Sequence, residues 1–340
     1  MTKSRQIVLA ARPVGRPTHD TFRLETVELR DPGEGQLLVR NLWMSVDPYM
    51  RGRMYDRPSY VPAFQVGKPL EGGAIGQVVC SRNAAFAEGD LVSHSAGWRE
   101  YAVLDGPGGN AVSGGAVKID TSLAPAPAYL GVLGMPGLTA YAGLLVHGRP
   151  KAGETVFVSA ASGAVGSVVG QIAKIQGCYV AGSAGSQEKV DHLKHSLGFD
   201  AAFNYKTGDL DAELRKACPK GIDVYFENVG GPQLQAVLTA MNPFGRIAVC
   251  GMIAQYNATT PPAGPNNLIY VIPKRLSIRG FVVTDHSDLM PEFTRDMAGW
   301  IKSGRLKYQE TVHEGIESAP AAFLGLFDGE NNGKMLVRLA

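Results

Sequence analysis

The sequence predicts an α/β protein in which a doubly wound parallel sheet follows a β-rich, barrel-like domain. From about Leu138 to Ile253, segments typical of strands and helices alternate, and repeated βα units build a parallel sheet covered by helices on both faces. The first ~125 residues contain short β-like runs such as GAIGQVVCS between Gly and Pro turns. We therefore expect a β-rich domain over 1–130, the doubly wound domain over 131–309, and a segment 310–340 that returns to the first domain.

Hydrophobic periodicity predicts the elements of the doubly wound domain. In chain order they are helix LTAYAGLLVHG, strand ETVFVSAA, helix VGSVVGQIAKIQG, strand CYVAGSAG, helix SQEKVDHLKHSLG, strand AAFNY, helix GDLDAELRKAC, strand GIDVYFENVG, helix PQLQAVLTAMN and strand GRIAVCGMI. Prolines predict a long surface loop over QYNATTPPAGPNNLIYVIPKRL. A strand LSIRGFVVT, a helix from about Met290 to Ser303 and a final strand complete the chain.

Composition favours a cytoplasmic globular protein with small-molecule partners. The 340 residues are 45% hydrophobic and 19% charged, with a formal net charge of +2. No block of like charges suggests nucleic-acid binding or membrane attachment. Four widely spaced cysteines and no targeting signal favour a reducing compartment. Residues 128–146 are uncharged over a bilayer-spanning length, but Pro136 and four glycines favour a buried helix-turn-helix.

A glycine-containing turn between a predicted strand and helix indicates a phosphate site. In VFVSAASGAVGSVVGQIAK, Ala161, Gly163 and Gly166 have A-x-G-x-x-G spacing, with Ala164 and Val165 between the two glycines. Such a turn points backbone N–H groups and a helix dipole at a pyrophosphate, and glycine is needed only where a Cβ would collide. Alanine in the first place is therefore tolerable. Helix packing also selects glycine, so the βαβ context carries the prediction.

The end of the next strand favours NADP(H) over NAD(H). An NAD site places an Asp or Glu about 20 residues beyond the turn, where it binds a ribose hydroxyl. Here the segment reads AGSAGSQEK, with Gly182, Ser183 and Gly185 in place of the acid and Glu188 as the first carboxylate. Lys189 supplies a cation for a 2′-phosphate. The alternative for Lys189 is a solvated helix-face lysine.

No metal site can be assembled from the sequence. A zinc-dependent alcohol dehydrogenase needs thiolate or imidazole ligands, yet Cys80 is the only cysteine before residue 178. His19, His94 and His147 have no ligand-like spacing. No G-x-S-x-G follows a suitable strand, so we expect the chemistry to come from the cofactor and one or two hydroxyl groups.

Seven ordered blocks across nearly the whole chain resemble the zinc-free medium-chain dehydrogenase/reductase family. They are SVDPYMRGRM, GVLGMPGLTAY, ASGAVGSVVGQIAKIQGC, GFDAAFNYK, YFENVGG, CGMIAQYNAT and NNGKMLVR. They are similar to prostaglandin reductases, plant alkenal double-bond reductases and, most of all, bacterial curcumin reductases. The resemblance implies a GroES-like catalytic domain beside a Rossmann domain, a homodimer, and NADPH-dependent reduction of the carbon–carbon double bond of α,β-unsaturated ketones and aldehydes.

The resemblance also implies roles for individual residues. For the cofactor they are Ala161, Gly163, Ala164, Val165 and Gly166 at the pyrophosphate, Lys189, Tyr205 and Ser183 at the 2′-phosphate, Asn228 and Cys250 at the ribose and nicotinamide, Phe281 and Val283 at the carboxamide, and Asn331 from the tail. For the substrate, Tyr49 and Tyr60 would form an aromatic wall, although Tyr60 equally suits packing beside a proline turn.

Tyr256 is the predicted catalytic residue. Hydride transfer to the β-carbon leaves an enolate, and a tyrosine hydroxyl offers it a directed hydrogen bond. The alternative is a tyrosine that binds pyrophosphate or lines the loop. Two other functions stay open: an NADPH-dependent quinone reductase of the same superfamily, and a non-catalytic NADPH-binding sensor.

Overall fold

The computed structural model describes residues 1–107 and 115–340, which form two compact units. Unit 1 comprises Met1–Leu130, Glu310–Asn331 and Met335–Ala340, and unit 2 comprises Gly131–Gln309 and Asn332–Lys334. The chain therefore contributes its beginning and most of its end to unit 1. Three tail residues belong to unit 2.

The strands and helices are numbered in chain order. The strands are β1 (Thr2–Leu9), β2 (Phe22–Leu29), β3 (Gln36–Ser45), β4 (Ala74–Ser81), β5 (Leu91–His94), β6 (Tyr101–Asp105), β7 (Val117–Lys118), β8 (Thr155–Val158), β9 (Tyr179–Ala184), β10 (Ala201–Asn204), β11 (Ile222–Glu227), β12 (Met241–Val249), β13 (Ser277–Gly280), β14 (Glu310–Glu314) and β15 (Lys334–Arg338). The α-helices are α1 (Met50–Arg53), α2 (Met135–Ala142), α3 (Gly166–Ile175), α4 (Gln187–His195), α5 (Leu210–Ala217), α6 (Gly231–Ala240), α7 (Val271–Lys274), α8 (Met290–Lys302) and α9 (Ala319–Asp328).

Unit 1 is built on a seven-stranded sheet of order β14-β15-β3-β4-β5-β7, with β6 also paired to β3, and on a separate antiparallel β1–β2 pair. Three aromatic rings fill its core. Phe22 stacks on Trp98 at 5.9 Å, and Phe323 meets both rings edge-on at 6.0 and 6.1 Å. Because Phe323 lies on α9, the C-terminal segment is part of this core.

Unit 2 confirms the predicted doubly wound sheet. Its order is β10-β9-β8-β11-β12-β13, and each neighbouring pair is parallel. The chain runs from β8 outward to β10, then returns to β11 and runs to the opposite edge. The point where the direction reverses lies between β8 and β11, and ligands bind at such a point, outside the carboxyl ends of the strands. Every residue of β8 is buried, as its sequence TVFV predicts for a central strand.

The structure differs from the predicted elements in several places. In the tail, β14 and α9 precede the predicted final strand, and β12 begins at Met241, inside the predicted helix PQLQAVLTAMN. The helix predicted from Leu138 begins at Met135, and its second half, Gly143–Gly148, is a π-helix. The long loop after Ile253 contains short helices, 3₁₀ turns at Ile253–Gln255 and Leu268–Tyr270 and then α7. The strand predicted as LSIRGFVVT ends at Gly280, and a 3₁₀ segment occupies Val283–Leu289.

Candidate active site

The glycine turn joins β8 to α3 at the switch point. Ala160 adopts a left-handed backbone (φ +49°), and its carbonyl accepts the N–H of Gly163 at 3.0 Å. A Cβ on Gly166 would lie 2.5 Å from that carbonyl oxygen, so the turn requires glycine there. The residue that adopts the strained conformation is thus Ala160, one position before the predicted Ala161.

The turn leaves a row of backbone donors available to a ligand. Within residues 1–107 and 115–340, the N–H groups of Ala164, Val165 and Gly166 donate to no protein acceptor. Gly163, Ala164 and Val165 are partly exposed. Consecutive N–H groups at a helix N-terminus form an anion site, which fits the predicted pyrophosphate.

Two residues predicted to contact the cofactor, Ala161 and Ser183, form hydrogen bonds within the protein. Ala161 is fully buried, and its N–H donates to the Ser183 carbonyl at 2.9 Å. The Ser183 hydroxyl is also buried and donates to Gln233 Oε1 at 2.7 Å. Direct hydrogen bonding of either group to a ligand would require the existing bond to break. Their predicted cofactor contacts remain predictions.

The tail reaches the same turn through residues next to the predicted Asn331. The Gly333 N–H donates to the Ser162 carbonyl at 2.8 Å, and Gly333 forms an isolated bridge with Gly163. A Cβ on Gly333 would lie 1.9 Å from the Gln309 carbonyl oxygen, so only glycine fits. Asn331 itself belongs to unit 1, and its cofactor contact remains a prediction.

A second cationic group accompanies Lys189 beyond the end of β9. A Cβ on Gly185 would lie 3.3 Å from Lys206 Cε and 3.4 Å from Tyr205 Oη, so both side chains pass over the bare backbone of Gly185. Burial lowers the pKa of Lys189, and the charge of Lys206 lowers it further. Two mutually repelling ammonium groups favour an anion between them. Sequence reasoning missed Lys206, although it directly follows Tyr205 in FNYK.

The ends of β11 and β12 bring Asn228, Cys250 and Tyr256 together. Asn228 donates from its backbone N–H to Ser159 Oγ at 2.9 Å and from Nδ2 to the Ser159 carbonyl at 2.8 Å. Its own carbonyl accepts the N–H of Ile253 at 3.1 Å. Burial and the nearby Glu227 raise the pKa of the Cys250 thiol to about 12, which favours its protonated form at neutral pH.

Tyr256 follows the short 3₁₀ turn after β12, and its hydroxyl lies against the backbone. The hydroxyl oxygen accepts the N–H of Met252 at 3.4 Å. A Cβ on Gly251 would lie 2.9 Å from the same oxygen. Glycine at 251 therefore allows the phenol to approach the strand end.

The Phe281 ring packs beneath the π-helix. It stacks on His147 at 4.9 Å and meets Phe226 edge-on at 6.2 Å. A Cβ on Gly143 would lie 2.4 Å from Phe281 Cζ, so the π-helical segment contains glycine where the ring needs space. Val283 begins the following 3₁₀ segment. The backbone contacts predicted for Phe281 and Val283 remain predictions.

Tyr49 and Tyr60 both belong to unit 1. Burial raises the pKa of Tyr49, Asp47 raises it further, and Tyr60 is near enough to add to the effect. Tyr49 packs against the aromatic core of the unit, whereas Tyr60 is 63% exposed. Their placement is compatible with an aromatic wall, and their role in substrate binding remains a prediction.

Two further findings concern metal-binding groups and membrane-spanning helices. In the described part of the chain, no group of three or more His, Cys, Asp or Glu side chains could hold a metal ion. None of the helices described is long and apolar enough to cross a membrane.

A doubly wound sheet, a phosphate-type turn at its switch point and a β-rich companion unit define a dinucleotide-binding oxidoreductase of the medium-chain type. Family comparison agrees with this class. Residues 5–112 match the family described as N-terminal domain of oxidoreductase, and residues 164–299 match the one described as zinc-binding dehydrogenase.

Relatives extend the match over the whole chain. The sequence is 52% identical to a Bacillus subtilis (strain 168) protein named as an NADP-dependent oxidoreductase, over 100% of this chain and 99% of that protein. It is 44% identical to the NADPH-dependent curcumin reductase of Escherichia coli (strain K12), over 99% and 97%. It is 47% identical to the 2-alkenal reductase (NADP(+)-dependent) of Nicotiana tabacum, over 99% and 98%.

The solved structure of CurA from Vibrio vulnificus in complex with NADPH superposes with a TM-score of 0.92 at 44% identity, and the match covers 99% of each chain. The chain belongs to the medium-chain dehydrogenase/reductase family, in the group that contains the curcumin, alkenal and prostaglandin reductases. The predicted family and two-domain fold class are confirmed.

Proposed function

We propose that the protein is an NADPH-dependent reductase of the carbon–carbon double bond in α,β-unsaturated ketones and aldehydes. The observation that carries the proposal is the pairing of an anion-binding turn with the Lys189–Lys206 pair beyond the next strand, where an NAD site would have an acid. The names of the curcumin and 2-alkenal reductases support the reaction class.

The residues fit NADPH at three places. The N–H groups of residues 164–166 would bind the pyrophosphate, Lys189, Lys206 and Tyr205 would bind the 2′-phosphate, and Asn228 would face the ribose. When bound, NADPH supplies the hydride that adds to the β-carbon of the substrate. The lysine pair supplies the discrimination, since NADH has no phosphate for it to bind.

Tyr256 is the residue we propose to act on the substrate oxygen. Reduction of a conjugated carbonyl at its β-carbon concentrates negative charge on the carbonyl oxygen, and a hydroxyl donor aimed at that oxygen stabilises the charge. The Met252 N–H bonded to the phenol oxygen polarises the O–H and orients it. The aromatic wall of Tyr49 and Tyr60 remains a prediction from the sequence.

Replacing Tyr256 by Phe tests this role. We expect kcat for an enone or enal to fall on the order of 10²-fold, because the main donor to the developing charge is lost. The dissociation constant of NADPH should change little. Tyr270→Phe, in a 3₁₀ turn of the same loop, is the matched control and should keep full activity. An unchanged kcat for Tyr256→Phe would remove the hydroxyl from the mechanism.

A substrate panel tests the activity itself. NADPH oxidation is followed with a linear enone, an enal and a simple quinone, and we expect turnover of the first two. Exclusive turnover of the quinone would make the protein a quinone reductase. NADPH binding without any turnover would make it a sensor.

We further propose a homodimer formed through the β13 edge. All four residues of β13 are exposed at the edge of the sheet, and the segment that precedes the strand in the chain exposes further apolar side chains. Leu268, Ile269, Ile272 and Ile278 are exposed, Ile272 to 72%. An exposed apolar edge strand is a template for pairing, and two-fold pairing of β13 with its copy buries both edges.

Sedimentation equilibrium tests the dimer. We expect twice the chain mass for the wild type and the single-chain mass for Ile272→Lys, because the lysine places a charge in the contact. Val14→Lys is the control, since Val14 is an exposed apolar residue of unit 1. A wild-type monomer at micromolar concentration would rule out the interface.

We also propose a cytoplasmic location, which four free cysteines support because reduced thiols persist there. Cell fractionation with an antibody to the native protein tests it. Recovery in an extracytoplasmic fraction would reject it.

A further inference from the structure

Glu227 is a fully buried carboxyl group at the switch point of the sheet. It is the last residue of β11. Its Oε1 accepts hydrogen bonds from the N–H of Val229 at 2.6 Å, the N–H of Gly230 at 2.9 Å and Ser159 Oγ at 3.1 Å. One carboxyl oxygen thus fixes both backbone N–H groups of the turn that follows Asn228.

The same residue connects three strand ends. Through Oε1 it holds Ser159, which directly follows β8. Through its backbone carbonyl it accepts the N–H of Cys250 at 2.9 Å and of Gly251 at 3.1 Å, directly after β12. Ser159 in turn binds both the backbone and the side-chain amide of Asn228. Glu227 therefore fixes, directly or through Ser159, the positions of Asn228, Cys250 and the end of β12 that leads to Tyr256.

This placement is costly for the folded protein. Burial raises the pKa of Glu227, although the Gly230 and Val229 N–H groups and the nearby Tyr225 hydroxyl lower it. Its Oε2 is buried, and in the described parts of the chain no donor lies within hydrogen-bonding geometry of it. A buried polar atom without a partner is disfavoured, and such groups in a ligand crevice point to function. A role confined to sheet stability does not require a half-satisfied carboxyl at the ligand-binding end of β11.

We propose that Glu227 is a positioning residue: its carboxyl group holds the 228–230 turn so that Asn228 faces the cofactor. The inference rests on the proposed function, because Asn228 is assigned to the ribose there. Glu227 acts through the turn and Asn228 and does not itself contact the cofactor or the substrate. Loss of the carboxyl should therefore free the two amides and weaken NADPH binding through Asn228.

Three substitutions separate this role from a general structural one. Glu227→Ala removes the acceptor, Glu227→Asp retracts it by one methylene, and Glu227→Gln keeps an oxygen in place without the charge. Asp223→Ala is the matched control. Asp223 lies at the opposite end of the same strand, where it accepts the Thr155 N–H at 2.8 Å and Asn242 Nδ2 at 2.8 Å.

The first readout is hydrogen exchange of the cofactor-free protein. We expect the Val229 and Gly230 amides to exchange at least tenfold faster in Glu227→Ala and Glu227→Asp, and near the wild-type rate in Glu227→Gln and Asp223→Ala. The second readout is the dissociation constant of NADPH. It should rise about tenfold in the Ala and Asp variants, and stay within about threefold of wild type in the Gln variant and the control.

Each outcome decides the proposal. Slow exchange in Glu227→Asp, or a control that weakens NADPH as much as Glu227→Asp does, overturns it. If Glu227→Ala does not fold, the contrast between the Asp and Gln variants decides between the two roles. Wild-type protein that binds no NADPH overturns the proposed function together with this inference, whereas tight binding by wild type and Glu227→Asp alike overturns the inference alone.

Discussion

Replacing Lys189 by Met should weaken NADPH binding and leave NADH binding unchanged. The substitution keeps most of the apolar stem and removes the charge. Lys189 lies beside Lys206 beyond the end of β9, and no carboxylate occupies the ribose-binding place in the sequence there. Only NADPH carries a 2′-phosphate for this pair, so the difference between the two cofactors isolates the phosphate contact.

The magnitude follows from one charge-assisted hydrogen bond. A bond between an ammonium group and a phosphate oxygen contributes about 1.5–3 kcal/mol, which corresponds to a rise of about 10- to 150-fold in the dissociation constant. Lys206 remains and keeps part of the affinity.

The cofactor-free protein should respond in the opposite direction. Burial and Lys206 lower the pKa of Lys189, so the folded state disfavours its charge at neutral pH relative to the unfolded state. An uncharged residue should therefore leave the free energy of unfolding unchanged or slightly raised. A lysine whose main role is an internal structural contact would instead cost stability when it is removed.

Fluorescence titration with each cofactor and urea unfolding without cofactor give the two measurements. Lys194→Met is the matched control, because Lys194 is an exposed lysine of the same helix, α4. Lys194→Met should change the dissociation constants of the two cofactors by no more than about twofold and leave the free energy of unfolding unchanged. Equal weakening of NADPH and NADH by Lys189→Met would refute the assignment, as would a marked loss of stability without cofactor.

Three other predictions concern stability. Ala160→Gly should raise the free energy of unfolding by about 0.5–1 kcal/mol, because glycine adopts the left-handed backbone without strain. Ala164→Gly in the same turn should lower the free energy of unfolding. Equal shifts of the two melting temperatures would refute the strain at Ala160. Gly166→Ala should lower the free energy of unfolding by about 1–3 kcal/mol, because the added Cβ would lie 2.5 Å from a carbonyl oxygen. Gly299→Ala, at a helical position with open space, should instead stabilise the protein. Equal urea midpoints for the two variants would contradict this steric account. Burial lowers the pKa of His94 to about 3, below its unfolded value of about 6.5. The contribution of the neutral imidazole to the free energy of unfolding is therefore complete above about pH 6.5, and it declines by about 1.4 kcal/mol per pH unit as the pH falls towards 3. The unfolding free energies of wild type and His94→Asn should converge in acid, and parallel pH profiles of the two proteins would disprove this account.

The sequence predicted the doubly wound sheet of unit 2 and the glycine turn between β8 and α3. Alternating strand and helix patterns determine a parallel sheet because crossover connections leave few other arrangements. Gly163 and Gly166 marked the turn, and a Cβ is excluded at Gly166, where it would lie 2.5 Å from the Ala160 carbonyl oxygen. Lys189 stood out because a carboxylate was missing from its usual position.

The details that the sequence did not reveal depend on tertiary contacts. Nothing in the identity of Ala160 signals a positive φ, since alanine normally avoids it and the surrounding turn imposes it. Periodicity does not distinguish the π-helix at Gly143–Gly148 from an α-helix, because the difference is one residue per hydrogen-bonded ring. Ser183 has the polarity of a ligand contact, and only the folded structure shows its hydroxyl bonded to Gln233.

The loop after Ile253 shows how a local signal can mislead. Its prolines predicted an irregular chain, yet Pro273 lies inside α7, whose four residues amount to a single turn. Proline is tolerated in the first turn of a helix because the N–H it lacks would have no intrahelical partner. Short helices of this kind are compatible with a proline-rich sequence.

The place of β15 in its sheet sets an order of events during synthesis. β15 lies between β14 and β3, so the unit 1 sheet stays open until residues 334–338 have left the ribosome. Residues 131–309 of unit 2 emerge earlier and contain its entire sheet. We infer that the nucleotide-binding half of the nascent chain folds before the unit 1 sheet is complete, because that sheet still lacks β15 at that stage.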